Sequence, residues 1–157
     1  MKNLRAPVLC ACFALISVCS FAQQQKAPIN EPDYNKPHLF DNLPAKISFN
    51  PETFTSLTGK QAGNVVSISL SDKVSIPFEG KMLSSVTKDN GRVQSIAIQS
   101  TNYNGATFYM SKVTGDDGTV RYNGRIISFT HGDLYILQKT NNQYELVKKN
   151  FYDLVNE

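Results

Sequence analysis

Beyond residue 19 the chain has no cysteine. Its three, Cys10, Cys12 and Cys19, fall within the first 22 of 157 residues. That stretch has the layout of a cleavable export signal. Lys2 and Arg5 give the positive start, Val8 to Val18 is an almost uninterrupted apolar run, and Ser20-Phe21-Ala22 sets small side chains where a signal peptidase needs them, before Gln23. The competing reading is a lipid anchor at Cys19, for which Val18 is larger than the residue expected in front of such a cysteine. Export to the periplasm or the cell exterior is common to both. Cleavage after Ala22 leaves no thiol, which excludes disulfides, thiolate nucleophiles and Cys-ligated zinc, so the fold must rest on burial.

Histidine is nearly as scarce: there are two, His38 and His131. His131-Gly132-Asp133 is the one place in 45–157 where an imidazole and a carboxylate stand close in sequence. Residues two apart in a turn seldom aim at one another, and no G-x-S-x-G elbow marks a nucleophile. The segment therefore reads as a hairpin turn, with Asp133 capping local donors and Gly132 taking positive φ. Asp116-Asp117-Gly118 lacks the alternate oxygen ligands and distal Glu of an EF-hand, since Val120 and Tyr122 occupy that span. No catalytic residue, metal ligand set or cofactor is expected, and the chain reads as a non-enzyme.

Charge excess is missing too. Without Lys2 and Arg5 the 16 basic side chains fall to 14 against 13 acidic ones, a net charge of +1. This gives no electrostatic footprint for nucleic acid or an anionic membrane. The apolar run of the signal is shorter than the ~20 residues needed to span a bilayer, so no stable membrane insertion is expected.

What is present is β-pattern. Residues 23–44 carry Pro28, Pro32, Pro37 and Pro44 among polar residues and read as a flexible linker, with Leu39-Phe40 able to dock. Residues 45–157 are long enough for one core and too short for two. At their centre, Arg125 to Thr130 and Leu134 to Lys139 are apolar on both faces, which places them inside a sheet. Around them lie Lys46 to Phe49, Val65 to Leu70, Val74 to Phe78 (an edge strand, because of Pro77), Met82 to Thr87, Val93 to Gln99, Thr107 to Val113, Val120 to Asn123 and Tyr144 to Lys148. Asn90-Gly91 predicts a type I′ hairpin turn, Asn141-Asn142 another turn, and Gly124 a bulge or bend. Asn50-Pro51-Glu52 opens one short helix over 51–58, with Phe54 as a plug, and Phe151 to Val155 has helical spacing. The predicted fold is all-β: a single antiparallel meander of about eight or nine short strands, barrel-like or two-layered.

Six of the tyrosines lie from Tyr103 onward, with Arg121 and Arg125 among them. Tyr and Arg dominate binding hot spots, and tyrosines also stack sugars. The candidate binding residues are Arg121, Arg125, Tyr109, Tyr122 and Tyr135. Along the strand Arg121 shares its phase with Asn123 and Arg125 while Tyr122 points the other way, so the arginine face is the predicted surface. A protein-binding module calls for a contiguous Tyr/Arg patch with a polar rim. A carbohydrate-binding or surface-adhesion module calls for two coplanar exposed tyrosines beside Asn or Asp.

Phe78-Glu79-Gly80, Ala106-Thr107-Phe108-Tyr109-Met110, Tyr122-Asn123-Gly124-Arg125-Ile126, Tyr135-Ile136-Leu137 and Gln143-Tyr144-Glu145-Leu146 follow one another in a rhythm over residues 78–154. In this, about half of the chain resembles the β-rich pro-region of secreted reprolysin-like zinc metalloproteases. The chain departs from that pattern in having no cysteine for a cysteine switch and no H-E-x-x-H protease region. The resemblance implies a stand-alone folding or inhibitory module whose partner is a protein such as a protease. The alternative partner is a surface glycan.

Overall fold

The computed structural model describes residues 35–154. The expected signal, its Cys19 alternative, the 23–34 part of the linker and Val155 lie outside the described residues.

One antiparallel sheet holds eight strands: β1 (Lys46–Ser48), β2 (Val65–Ser69), β3 (Pro77–Lys88), β4 (Val93–Ser100), β5 (Thr107–Thr114), β6 (Val120–Ile127), β7 (Asp133–Thr140) and β8 (Gln143–Asn150). Their order is β1-β8-β7-β6-β5-β4-β3-β2, a continuous meander from β2 to β8 with β1 returned to the outer side of β8. The sheet curls as a half-barrel around a single core. Alternation sets the two faces: Phe78, Ile98, Phe108, Ile126 and Tyr135 point into the curl, and their strand neighbours point outward.

Pro77 and Phe78, the end of the expected strand 74–78, run on through 82–87 as one 12-residue strand, β3, which lies second from the end of the sheet rather than at its edge, while Val74–Ile76 precede it outside the strand. Pro77 is accommodated for a reason visible in the ladder. Leu70 N–H donates to Ile76 O (2.8 Å) and Met82 N–H to Asn64 O (2.8 Å), so the hydrogen-bonded partners across β2–β3 are the even-numbered residues. Pro77 therefore turns its nitrogen away from β2, at the first position of the strand, where no ladder bond is lost. The register shifts between Met82 and Ser84, leaving Leu83 as a bulge.

The turn chemistry follows the sequence closely. Asn90 and Gly91 take φ of 51° and 91°, and Arg92 N–H donates to Asp89 O at 2.9 Å, as in a type I′ turn, but Asp89 also takes φ of 51° and the ladder closes at Lys88↔Val93, so the loop spans 89–92 rather than two residues. Asn141 and Asn142, with φ of 50° and 65°, join β7 to β8 directly between the paired Thr140 and Gln143. Two glycines act differently from expectation. Gly132 does not take positive φ; a Cβ there would lie 2.9 Å from Lys36 O, so glycine lets another segment cross it. Gly124 is no bulge, because β5 and β6 pair without a break from Thr107↔Ile127 to Thr114↔Val120. It marks the place where β6 parts from β7, which it pairs with only over Arg125–Ile127.

The helix is α1 (Thr53–Leu57), shorter than the expected span because residues 51–52 form the turn that leads into it. Asn50 Oδ1 accepts the Glu52 N–H at 2.9 Å. Phe54 is fully buried and meets Tyr122 edge-on, which in turn meets Tyr144 (centroids 6.1 and 5.6 Å). These three rings fill the wedge between the diverging β6 and β7. Tyr122 N–H, with no β7 carbonyl opposite, reaches the Tyr144 hydroxyl at 3.4 Å.

The second half of the expected linker is part of the domain. Phe40 is 1% exposed and packs edge-on against Tyr135 at 5.2 Å. Leu39 and Phe40 N–H groups donate to the two oxygens of Asp133 (2.6 and 2.8 Å), and Gly132 N–H to Pro37 O (2.9 Å). Lys148 Nζ reaches Phe40 O and Leu43 O (2.5 and 2.7 Å), and Tyr135 Oη donates to Pro44 O (2.5 Å). Asp133 thus receives donors from 93 and 94 residues away rather than capping its own turn.

Candidate functional site

The outer face of the sheet carries a groove. Cross-strand register places Ser84, Ala97, Tyr109, Arg125 and Ile136 in one row across β3 to β7. Ser95, Ser111 and Asn123 form the neighbouring row. Small side chains in both rows leave a trough of about 490 Å³ on this face, and the large groups, Tyr109, Arg125 and Ile136, stand along one side of it. The lining is mostly apolar, its only charge is the Arg125 guanidinium, and no carboxylate faces it.

Tyr109 and Arg125 are direct cross-strand partners, and the guanidinium lies 5.5 Å from the ring centroid. That contact holds both side chains in place: a cation over an aromatic face is stabilised by the ring quadrupole, and the planar guanidinium still offers its N–H fork to solvent. Tyr109 remains 36% exposed. The other expected site residues separate. Arg121 is exposed on the same face but pairs across to Val113, four residues down the strand from Arg125. Tyr122 faces the core, in the aromatic wedge with Phe54 and Tyr144. Tyr135 is completely buried beneath Phe40. Burial, followed by the nearby Asp133 and Tyr103, pushes its hydroxyl far above the ordinary tyrosine range. Of the five candidates, the structure brings Arg125 and Tyr109 together on the groove, leaves Arg121 exposed further down the same strand, and puts Tyr122 and Tyr135 into the fold's aromatic packing. The serines and Ala97 of the groove floor were missed; their signal was small residues at alternate, outward positions of β4 and β5.

Two polar clusters lie elsewhere. Ser128 Oγ sits 2.8 Å from His131 Nδ1, with Thr130 Oγ1 within 3.1 Å of both. This resembles a hydroxyl–imidazole dyad, with its Ser128 fully buried. The cluster braces the β6–β7 loop. His38, Asp41 and Asp133 bring potential metal-ligand atoms within 4.8 Å of one another. Both Asp133 oxygens already accept backbone N–H groups, and His38 Nδ1 meets Asp41 Oδ1 at 3.1 Å, so the trio is accounted for as an anchor of the 36–44 strap. No helix among the described residues is long and apolar enough to cross a membrane.

Comparison with known proteins gave no match to a family model, a curated protein or a solved structure.

Proposed function

We propose that this chain is an exported, non-enzymatic binding domain that holds a segment of a protein partner in the outer-face groove. The Tyr109–Arg125 pair is its anchor. The observation that carries this reading is the cation–ring pair, 5.5 Å apart, beside a mostly apolar trough whose lining also offers serine hydroxyls and Asn123. An aromatic–arginine pair next to an apolar trough supports protein binding, because such side chains concentrate interface energy. A protease is the partner class that the resemblance to metalloprotease pro-regions suggests. A glycan is the second reading, favoured by the hydroxyls and amide of the groove, though its tyrosine platform would consist of Tyr109 alone.

The test is a photo-reactive side chain at Ser95, on the groove floor, followed by identification of the cross-linked partner and measurement of its affinity. Arg125→Ala with Tyr109→Ala should weaken binding by roughly 30-fold or more, as anchors worth about 2 kcal/mol do. His131→Ala should leave it unchanged. Full affinity in the double variant would overturn the proposal, and a purified glycan cross-linked in place of a protein would replace it with the second reading.

A further inference from the structure

Within the curled sheet, β2 has one bonded side and one open side. Its even-numbered residues, Val66 and Ile68, exchange ladder bonds with Gly80 and Phe78 of β3, in phase with the Leu70–Ile76 and Asn64–Met82 bonds that flank them. The backbone N–H and C=O groups of Val65, Ser67 and Ser69 therefore point away from β3, toward the open edge of the sheet. No backbone partner meets them among the described residues. The nearest closing contact lies beyond the strand, where Asp72 N–H donates to Ser48 O at 3.2 Å. Val65 is 80% exposed.

Edge strands usually carry a device that blocks pairing, such as a lysine, a proline, a bulge or extreme shortness. At the other end of the sheet, β1 has three residues, an exposed Lys46 and Pro44 just before it. The five residues of β2, Val-Val-Ser-Ile-Ser, have none of these. We infer that β2 is a self-association edge, on which a second copy of this chain pairs antiparallel about Ser67.

Three features of the strand select a second copy. A two-fold axis at Ser67 brings Ser67 opposite itself and Val65 opposite Ser69, so all the open donors and acceptors of both strands meet complementary groups. The strand has no charge, so bringing two copies together opposes no like charges. Finally, the guarded β1 is a poor mate for β2, which disfavours head-to-tail growth and leaves the closed, two-fold pair. A contact made by five-residue strands is far smaller than the ~1,200 Å² of a standard stable interface, so the pair is a weak one that forms with rising concentration. The edge is separate from the outer-face groove and does not depend on its reading.

The protein should sediment as a monomer at about 10 µM and shift toward the dimer by about 1 mM, a range suited to such a small interface. Over that range the amides of Val65, Ser67 and Ser69 should gain protection from hydrogen exchange. Val65→Lys should weaken the association at least ~10-fold by charging the edge. Ser67→Pro should abolish it while keeping the β2–β3 ladder, since the nitrogen it removes faces outward. If Ser67→Pro fails to fold, Val65→Lys and the amide exchange decide alone. A monomer at all concentrations, or a dimer that survives both substitutions with fast exchange at the three amides, would overturn the inference.

Discussion

Single residues make the N-terminal strap part of the domain, and Asp133 does most of this. Its carboxylate is 2% exposed, yet each oxygen accepts a backbone N–H of the strap, at 2.6 Å from Leu39 and 2.8 Å from Phe40. A buried charge is tolerated when its lone pairs are met in this way, and bonds to an ionised acceptor are stronger than neutral ones. Asp133→Asn replaces one acceptor by an amide group that cannot receive a proton, leaving a strap donor facing another donor. The variant should lose about 2–4 kcal/mol of stability in urea denaturation. Limited proteolysis should then cut within residues 36–44 before the rest of the domain. Gly132 completes the anchor, since a side chain there would collide with the Lys36 carbonyl.

At the level of elements, hairpins dominate, and the turns set their register. The Asn141-Asn142 loop joins β7 and β8 with both central residues at positive φ. Asparagine tolerates that region and glycine does so without a Cβ penalty. Asn142→Gly should therefore stabilise the domain by roughly 0.5 kcal/mol, read as a rise in the thermal midpoint. The divergence of β6 from β7 is the other element-level feature. It opens a wedge that the sheet cannot close by hydrogen bonding, and the aromatic cluster of Phe54, Tyr122 and Tyr144 fills it.

Across the whole molecule, the core is built around tyrosines as well as aliphatic side chains, and this gives stability a pH dependence. Burial raises the Tyr135 hydroxyl far above its ordinary value, and raises Tyr103 and Tyr122 in the same direction. Each folded-state group keeps its proton to a higher pH than in the unfolded chain. Above about pH 10 the folded state therefore binds more protons, and stability must fall as the pH rises from there. The urea midpoint should hold steady from pH 7 to 9 and decline beyond pH 10. Tyr135→Phe should flatten that decline, while lowering stability near neutral pH by the loss of its bond to Pro44 O.

The sequence by itself determined the class of fold, most strand positions and the turns, because these depend on local chemistry. Period-two alternation needs only a wet side and a dry side, and Asn-Gly or Asn-Asn turns need only φ. Strand alternation is local in the same sense, and it sets Arg121, Asn123 and Arg125 on one face of β6 and Tyr122 on the other. Tertiary structure alone decided which tyrosine joined Arg125. Tyr135, equally close in character, was taken by the core because Phe40 and Pro44 come back over it, while Tyr109 came opposite Arg125 through β5–β6 register. It also turned 36–44 from linker into strap, since the donors that Asp133 needs lie more than ninety residues away and no local pattern records them.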